Sequence, residues 1–386
     1  MNKIFKILAF IICVCTAFLI NVSKTYVGAK DNDNLNLSAK SAYLIDYNSG
    51  TVIYSLNENE RRPIASMTKI MLLLLAYENV DNGALSLNEE IIVSKNASSM
   101  GGSQVFLEEN GKYLVGDLLK SITVASANDA SVAIAERLYG SEKACVKKMN
   151  EKAVDLNLKN TLFANCTGLP APMQYSTAKD IATIFCNLIK YENYFKFSTI
   201  WLDKINHKNN STEISNTNKL IRFYEGCDGG KTGYTAEAGY CLTATAKRGN
   251  MRLIGSVINA PSSKERFADV SSMFNYGFDN YVNKCVVDSN IPLQDKLKVE
   301  NSKIKEVEII PERDGFVFTL KNSNDKIEVD VDLFNVKAPI KKGDIVGSIS
   351  IYKNGVLTQK INVISNESVD KMGFFDRVKD LLENWA

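Results

Sequence analysis

The stretch "PIASMTKIMLLLL", Pro63 to Leu75, sets a serine, Ser66, three places before a lysine, Lys69, at the head of a nearly unbroken apolar run. From Ser66 to Val80 the apolar residues surround the helix axis instead of forming a stripe, which predicts a helix buried on most faces. Residues three apart share one helical face, so the serine hydroxyl and the lysine amine can meet.

Two interpretations of this serine and lysine are open. A serine near a helix start is most often an N-cap, and that interpretation suits any isolated SxxK tetrapeptide. A charged lysine inside a buried helix, however, is costly unless it is paired or its pKa is lowered, and a lysine with a lowered pKa is a general base. Other residues that could form a site with Ser66 and Lys69 must therefore decide between the two interpretations.

The composition bounds the kind of protein. The chain has 386 residues, of which 45% are hydrophobic, enough for two or three domains with ordinary cores. Its one histidine, His207, lies in the polar stretch "INHKNN", where a histidine is most often just solvated. A Ser-His-Asp triad or a histidine-rich metal site would need this residue. We therefore expect a base other than histidine, and no metal or cofactor.

The N-terminus predicts export. Lys3 and Lys6 precede an apolar stretch from Ile7 to Ile20, and small residues follow up to Ala29, which is typical of a secretory signal peptide cleaved near that alanine. The alternative is an uncleaved anchor helix, although the stretch is shorter than the roughly 20 residues that span a bilayer.

Loss of this segment leaves a nearly neutral chain. The full sequence has 46 Lys and Arg against 44 Asp and Glu, and removing residues 1–30 takes away four lysines and no acids, which leaves 42 against 44 and a net charge of −2. This balance gives no electrostatic case for nucleic-acid binding. The remaining cysteines match no zinc or CxxC spacing and are expected to be buried free thiols: Cys145, Cys166, Cys186, Cys227, Cys241 and Cys285.

Hydrophobic periodicity predicts an α+β domain. Residues 41–56 read as a hairpin around an Asn-Ser-Gly turn, and residues 239–260 as another that turns at 248–250. The expected helices are Val115 to Thr123, Asp129 to Leu138, Ala144 to Leu156, Thr177 to Lys190 and Lys264 to Phe278. Strands at both ends of a helical middle indicate an antiparallel sheet that joins distant segments.

After about Asp279 the pattern changes to short alternating strands. They are "GFVFTL", "KIEVDVDLF" and "DIVGSISIYKNGVLTQKINVI", in which Asn354-Gly355 is a strong hairpin turn. This predicts a separate small β domain. The expected divisions are a signal peptide at 1–29, a first domain at 30–279, the β domain at 280–366 and a tail helix at 367–386.

The tail is predicted to be an amphipathic helix. Its apolar face carries Phe374, Val378, Leu381, Leu382 and Trp385. Such a helix can lie in a membrane interface, with Phe and Trp at the boundary. Docking onto the β domain or self-association is the alternative, because the positive charge of the polar face is weak.

Two further stretches place polar residues of the kind that a site needs. "ASANDA" gives Ser126 and Asn128 before a predicted helix start, and "GGKTGYT" gives Lys231, Thr232 and Gly233 at a predicted strand start. Each is weak alone, since Ser-x-Asn is an ordinary cap and Lys-Thr-Gly an ordinary turn. In this order after the SxxK, with gaps of 60 and 105 residues, they form a specific signal.

Together they resemble the SxxK, SxN and KTG motifs of serine penicillin-binding proteins and β-lactamases. The stretches "GGSQVFLE", "NTLFANCTGLP", "YSTAKDIA" and "KTGYTAEAGYCLTATAKRGNMRLIGSVI" are similar to low-molecular-mass D-alanyl-D-alanine carboxypeptidases, particularly the sporulation-associated type of Gram-positive bacteria. The resemblance covers about Ser41 to Asp279 and, less specifically, the β domain and tail. It implies a transpeptidase-like fold and a tail helix that holds the enzyme on the outer face of the cytoplasmic membrane or in the cell wall space.

The resemblance also implies a role for each motif residue. Ser66 would attack the carbonyl between the last two D-alanines of a peptidoglycan stem peptide and become the acyl-ester. Lys69 would accept its proton, and Ser126 would relay a proton to the departing D-alanine. The substrate would be held by Asn128, Lys231, Thr232 and Gly233, by an oxyanion hole of the Ser66 and Tyr234 N–H groups, and with help from Arg266.

One residue departs from the family pattern. Ala127 stands where this carboxypeptidase group usually has glycine. If the backbone needs a positive φ there, alanine adds strain, which we expect to be tolerated because the side chain has no chemical role.

Three alternatives share these motifs. A class A β-lactamase needs a glutamate that activates the deacylating water, and the loop from Leu158 to Lys179 contains no Asp or Glu, so β-lactams are expected to act as inhibitors. A D,D-transpeptidase or endopeptidase shares the acyl-enzyme and cannot be separated by motifs. A non-catalytic wall-binding protein is the alternative of another class, and the complete set of motif residues argues against it.

Overall fold

The structure, a computed structural model, describes residues 35–304, 306–376 and 378. Its strands are β1 (Ser41–Asp46), β2 (Val52–Leu56), β3 (Glu90–Ile92), β4 (Lys112–Leu114), β5 (Leu202–Asn206), β6 (Ser211–Ser215), β7 (Cys227–Thr235), β8 (Gly239–Arg248), β9 (Met251–Ala260), β10 (Tyr281–Val287), β11 (Leu297–Glu300), β12 (Glu306–Val307), β13 (Ile309–Pro311), β14 (Gly315–Leu320), β15 (Ile327–Leu333), β16 (Val336–Lys337), β17 (Ile345–Lys353) and β18 (Val356–Ser365). Its α-helices are α1 (Lys69–Asp81), α2 (Lys95–Ser98), α3 (Val115–Ala125), α4 (Asn128–Tyr139), α5 (Glu142–Asp155), α6 (Ala178–Leu188), α7 (Phe195–Ser198), α8 (Leu220–Phe223) and α9 (Ser263–Asn280).

An antiparallel five-stranded sheet in the order β2-β1-β9-β8-β7 forms the centre of the first domain. Both predicted hairpins are present, as β1 with β2 and as β8 with β9. β1 also pairs with β9, from Ser41 opposite Ile258 to Asp46 opposite Leu253. The prediction of a sheet that joins distant segments in an α+β domain is therefore confirmed.

Helix α1 lies in the larger hydrophobic core, on one side of the sheet, and α9 packs on the other side. Every residue of α1 from Lys69 to Tyr77 is buried, as the apolar run predicted. Fully burying one Leu or Ile side chain contributes roughly 1.5–3 kcal/mol. The run therefore holds the head of the helix, with Ser66 just before it, firmly against the sheet.

The second domain is built from β10 to β18. β13, β18, β17 and β15 form a four-stranded sheet over a core of buried Val and Ile side chains, which include Ile349, Ile351 and Val363. β17 and β18 turn at Asn354 and Gly355, whose φ angles of 52° and 77° are the positive pair that a type I′ turn requires. The predicted β domain is present, and its boundaries at 280 and 366 stay predictions.

Two local features differ from the prediction. The apolar run opens with a 3₁₀ turn, Ala65–Thr68, and the α-helix begins only at Lys69. Lys231 was expected at a strand start, but β7 already begins at Cys227 and places that lysine at its middle. The intervening Asp and Gly residues are poor strand formers and hid the start of the strand.

The predicted ends of the chain are covered only in part. The signal peptide at 1–29 and the tail residues Leu381, Leu382 and Trp385 lie outside the described residues. Phe374 and Val378 are helical and exposed. Within the described part of the chain, no helix has the length and apolarity needed to cross a membrane.

None of the six cysteines of the described residues forms a disulfide. The expectation of burial is met by Cys145, Cys166, Cys227 and Cys241. It is wrong for Cys285, which is exposed, and Cys186 is half-buried.

Candidate active site

Ser66 lies in the 3₁₀ turn ahead of α1 and is not an N-cap. The cap positions of the turn and the helix are Ile64 and Thr68, and neither side chain makes a capping hydrogen bond. The Ser66 hydroxyl instead accepts a hydrogen bond from Lys69 Nζ at 3.0 Å. The predicted pairing of serine and lysine across one helical turn is therefore present.

Lys69 is fully buried and surrounded by hydrogen-bond acceptors. Besides Ser66, its Nζ donates to Asn128 Oδ1 at 2.7 Å and to the Thr167 carbonyl. Burial lowers the pKa of Lys69 to about 7, although Cys166 and Asp129 nearby oppose the shift. A lysine amine near neutrality can take a proton from a hydroxyl at physiological pH.

The SxN segment connects two helices beside Lys69. Ser126 ends α3 in the left-handed conformation, with φ of 63°, and Asn128 opens α4. Asn128 Nδ2 donates to the Gly101 carbonyl at 2.7 Å, which fixes the amide with its oxygen towards Lys69. Ala127 has a φ of −63°, so the strain considered for this residue does not arise.

Lys231 reaches the same place from the edge strand β7. Its Nζ donates to Ser126 Oγ at 2.7 Å and to the Thr232 carbonyl at 3.0 Å. Burial lowers the pKa of Lys231 well below its ordinary value, and the positive charges of Lys69 and Arg266 act in the same direction. An anionic ligand would relieve this cost, since opposite charge favours the ammonium form.

Gly233 lets β7 approach the 3₁₀ turn. A Cβ at this position would lie 2.6 Å from the Ile64 carbonyl and 3.3 Å from the Met67 nitrogen. No side chain fits there, so glycine is required by the close contact between the strand and the turn that carries Ser66.

Tyr234 lies near the end of β7, and Arg266 contacts the same part of the strand from α9. Arg266, on α9, is buried, and its Nη1 donates to the Gly233 carbonyl at 3.1 Å and the Cys241 carbonyl at 3.4 Å. The guanidinium therefore braces the backbone of the strand that carries Lys231. The Tyr234 ring is exposed and stacks on Tyr240, with 4.3 Å between the centroids.

The sequence interpretation missed the segment that closes the site over Ser66. The Thr167 carbonyl accepts from Lys69, and Gly168 has a φ of 82° with a Cβ position only 2.1 Å from the Ala65 carbonyl. Asn165, three residues before this glycine, is typical of a tight turn and was the available signal.

His207 is half-buried, and both of its ring nitrogens are hydrogen-bonded. Its Nδ1 shares a hydrogen bond with Tyr113 Oη at 2.8 Å and its Nε2 with Thr212 Oγ1 at 2.9 Å. The histidine thus ties the β5–β6 hairpin to β4, and the expectation of a solvated residue is wrong.

Comparison with known proteins decides the family. The family described as D-alanyl-D-alanine carboxypeptidase matches residues 28–262, more than half of the chain. The chain belongs to this family. Residues 283–371 match a second family, described as the penicillin-binding protein 5 C-terminal domain. The chain is thus a serine D-alanyl-D-alanine carboxypeptidase of the low-molecular-mass penicillin-binding type.

Relatives match along nearly the whole chain. D-alanyl-D-alanine carboxypeptidase DacF of Bacillus subtilis is 41% identical over 360 residues, 92% of each chain. DacC of Escherichia coli is 32% identical over 382 residues, 95% of this chain and 93% of its own. The crystal structure of penicillin binding protein 5 from Haemophilus influenzae covers 89% of this carboxypeptidase and all of that chain, with a TM-score of 0.68 and 28% identity.

The loop from Leu158 to Lys179 contains no Asp or Glu, but a glutamate from a neighbouring helix contacts it. Glu142, at the start of α5, accepts from the Cys166 N–H at 3.1 Å and from Cys166 Sγ at 3.3 Å. These bonds turn the carboxylate towards the loop backbone, where it supports the segment that contacts Lys69.

Proposed function

We propose that Ser66 is the nucleophile and Lys69 the base of a D-alanyl-D-alanine carboxypeptidase reaction on peptidoglycan pentapeptide. The observation that carries this proposal is the 3.0 Å contact between Lys69 Nζ and Ser66 Oγ, with Lys69 fully buried. Lys69 takes the hydroxyl proton as Ser66 Oγ bonds to the carbonyl carbon between the last two D-alanines.

Ser126 then relays to the leaving amine the proton that Lys69 took, so that Lys69 is neutral again and Ser126 keeps its hydroxyl. The peptide C–N bond breaks, D-alanine departs, and the acyl group stays on Ser66 until water displaces it. The contact of Ser126 Oγ with Lys231 Nζ at 2.7 Å supports this role, because a hydroxyl beside an ammonium group can pass on a proton.

The substrate's terminal carboxylate binds at β7. Lys231 and Thr232 hold it, Gly233 lets their strand pack on the turn that carries Ser66, and Arg266 adds positive charge behind the strand. Asn128 holds the substrate amide. The backbone N–H groups of Ser66 and Tyr234 form the oxyanion hole, supported by the close packing of β7 on the 3₁₀ turn.

Penicillin follows the same path as far as the acyl-enzyme. The loop from Leu158 to Lys179 has no carboxylate to activate water, so the adduct is expected to persist and β-lactams act as inhibitors.

The remaining proposals concern location and division of the chain. Residues 1–29 direct export, 30–279 form the catalytic domain, 280–366 the β domain, and 367–386 a helix that attaches the enzyme to the outer face of the cytoplasmic membrane. The exposed Phe374 and Phe375 at the start of the tail support attachment. A role in sporulation is proposed from the sequence resemblance.

Labelling with fluorescent penicillin tests the site. We expect the wild type to be labelled stably and Ser66→Ala not at all, and the wild type to release D-alanine from a pentapeptide. Rapid loss of the label would indicate a β-lactamase. An unlabelled wild type that still binds peptidoglycan would indicate a non-catalytic wall-binding protein.

A further inference from the structure

The orientation of the Lys69 amine depends on two carbonyl oxygens. A neutral amine has two N–H bonds and one lone pair, and Lys69 Nζ has three neighbours: Asn128 Oδ1 at 2.7 Å, the Thr167 carbonyl at 2.5 Å and Ser66 Oγ at 3.0 Å. When the two carbonyls accept both N–H bonds, the lone pair is left facing the Ser66 hydroxyl. The direction of these carbonyls therefore sets the direction of the base.

The direction of the Thr167 carbonyl is fixed through the N–H of the same peptide group, which belongs to Gly168. That planar group joins Thr167 to Gly168, and its C=O and N–H point in opposite directions. Asn165 Oδ1 accepts from the Gly168 N–H at 2.7 Å and from the Thr167 N–H at 3.2 Å. Asn165 Nδ2 donates to the Leu169 carbonyl at 2.9 Å, which closes the turn.

We propose that Asn165 is a positioning residue for acylation: by holding the Thr167–Gly168 peptide plane it aims the Thr167 carbonyl at Lys69 and so aims the amine lone pair at Ser66. This inference rests on the proposed role of Lys69 as base. Gln174 supports the arrangement from outside, since its Oε1 accepts from the Asn165 N–H at 3.1 Å.

The charged and titratable groups around Lys69 stay in place when Asn165 is changed. They are Lys231 on β7, Asp129 on α4 and Cys166 in the loop. Because the Asn165 side chain is uncharged, its replacement by alanine alters the geometry and water access of Lys69 without changing the local charge.

The test is the second-order rate constant for acylation by fluorescent penicillin, measured from pH 5.5 to pH 9.5. For Asn165→Ala we expect the high-pH plateau to fall about tenfold, a part of the 10²–10⁴-fold that a positioned base supplies. The midpoint of the profile should move upward, because a loosened turn admits water to Lys69 and weakens the desolvation that lowers its pKa. Asn165→Asp keeps an acceptor for the Thr167 and Gly168 N–H groups but loses the donor to the Leu169 carbonyl, so it should recover part of the plateau.

Asn150→Ala is the matched control. Asn150 on α5 also bonds the same loop, at the Phe163 N–H (2.9 Å) and the Phe163 carbonyl (2.8 Å), but it does not contact the Thr167–Gly168 peptide. It should lower the melting temperature and leave plateau and midpoint unchanged. If Asn165→Ala cannot be obtained folded, Gln174→Ala should give a smaller change in the same direction.

Equal profiles for Asn165→Ala and the wild type, or equal losses in Asn165→Ala and Asn150→Ala, would overturn the inference. An unchanged plateau in a folded Gln174→Ala, where that variant has to replace Asn165→Ala, would do so too. The proposed function fails in a different way, through a wild type without label or a labelled Ser66→Ala.

Discussion

Burial of Lys69 favours the neutral form of its amine. The free energy of unfolding therefore depends on pH. Its pKa is about 7 in the folded protein, against about 10.5 in the unfolded chain. Below pH 7 both states hold the proton and the folded state bears the whole cost of the buried charge. Between these values only the unfolded state holds it, so this residue's contribution to stability rises with pH.

Replacing Lys69 by methionine removes this cost. We therefore expect Lys69→Met to stabilise the protein relative to the wild type, and to do so by more at low pH than at high pH. A tenfold change in proton affinity is worth about 1.4 kcal/mol, so the gain at pH 6 over that at pH 10 should be a few kcal/mol. Acylation should be lost. The measurement is urea unfolding of both proteins at the two pH values.

Lys147→Met is the control for this comparison, since the Lys147 side chain is 79% exposed. Its effect on stability should be the same at pH 6 and pH 10. A pH-independent effect of Lys69→Met would contradict a lowered pKa.

The side chains of the site were predictable from the sequence, and the backbone groups were not. Ser66, Lys69, Ser126, Asn128 and Lys231 were found because their types and spacings are specific, and the structure brings all of them together. The Thr167 carbonyl gives no such signal, because every residue has a carbonyl and the contact with Lys69 joins residues 98 apart. Only the folded chain shows which carbonyl is used.

At the scale of elements, the loop at Gly168 packs directly on the 3₁₀ turn that carries Ser66. The Gly168→Ala variant would place a Cβ 2.1 Å from the Ala65 carbonyl at a φ of 82°. Because both partners are backbone, one segment must move. We expect a loss of stability of about 3 kcal/mol or more, from strain and displacement together, and a large fall in penicillin acylation.

Gly140→Ala is the control that separates backbone strain at a positive φ from displacement of the neighbouring segment. Gly140 ends α4 with a φ of 80°, and nothing lies within 4 Å of its Cβ position. It should cost only about 1 kcal/mol and leave acylation intact. If both variants lose the same stability and activity, the close contact at Gly168 is not what holds the site.

Elements with strong periodicity were predicted well, and those set by tertiary contact were not. Helix α1 and the two hairpins of the sheet follow from apolar patterns and turn residues. The early start of β7 at Cys227 was missed because Gly229 and Gly230 weaken the local strand signal, while pairing with β8 stabilises the strand. Sheet pairing here overrides propensity.

For the whole molecule, the change of composition near Asp279 predicted two domains but not how they meet. Phe318 of β14 belongs to the same hydrophobic cluster as Phe274 and Phe278 of α9, and its ring stacks on Tyr281 with 5.1 Å between centroids. The β domain thus contributes a side chain to a hydrophobic core of the first domain. A composition boundary carries no information on such a contact.

The β domain carries the start of the tail. The Met372 N–H donates to the Asn301 carbonyl at 2.8 Å, and Lys303 Nζ lies 2.9 Å from Asp376 Oδ2. These contacts hold the tail's first turn on the domain, while Phe374 and Phe375 remain 76% and 86% exposed.

The two exposed phenylalanines allow a direct test of the proposed membrane attachment. We expect the chain without residues 1–29 to sediment with anionic phospholipid vesicles, and the double variant Phe374→Ser/Phe375→Ser to bind at least about tenfold more weakly, since burying one Phe is worth roughly 1.5–3 kcal/mol. Phe223→Ser is the control, because Phe223 on α8 is also 70% exposed. Vesicle binding that is absent in the parent chain, or is lost equally in the control, would show that the tail's aromatic face does not hold the enzyme to the membrane.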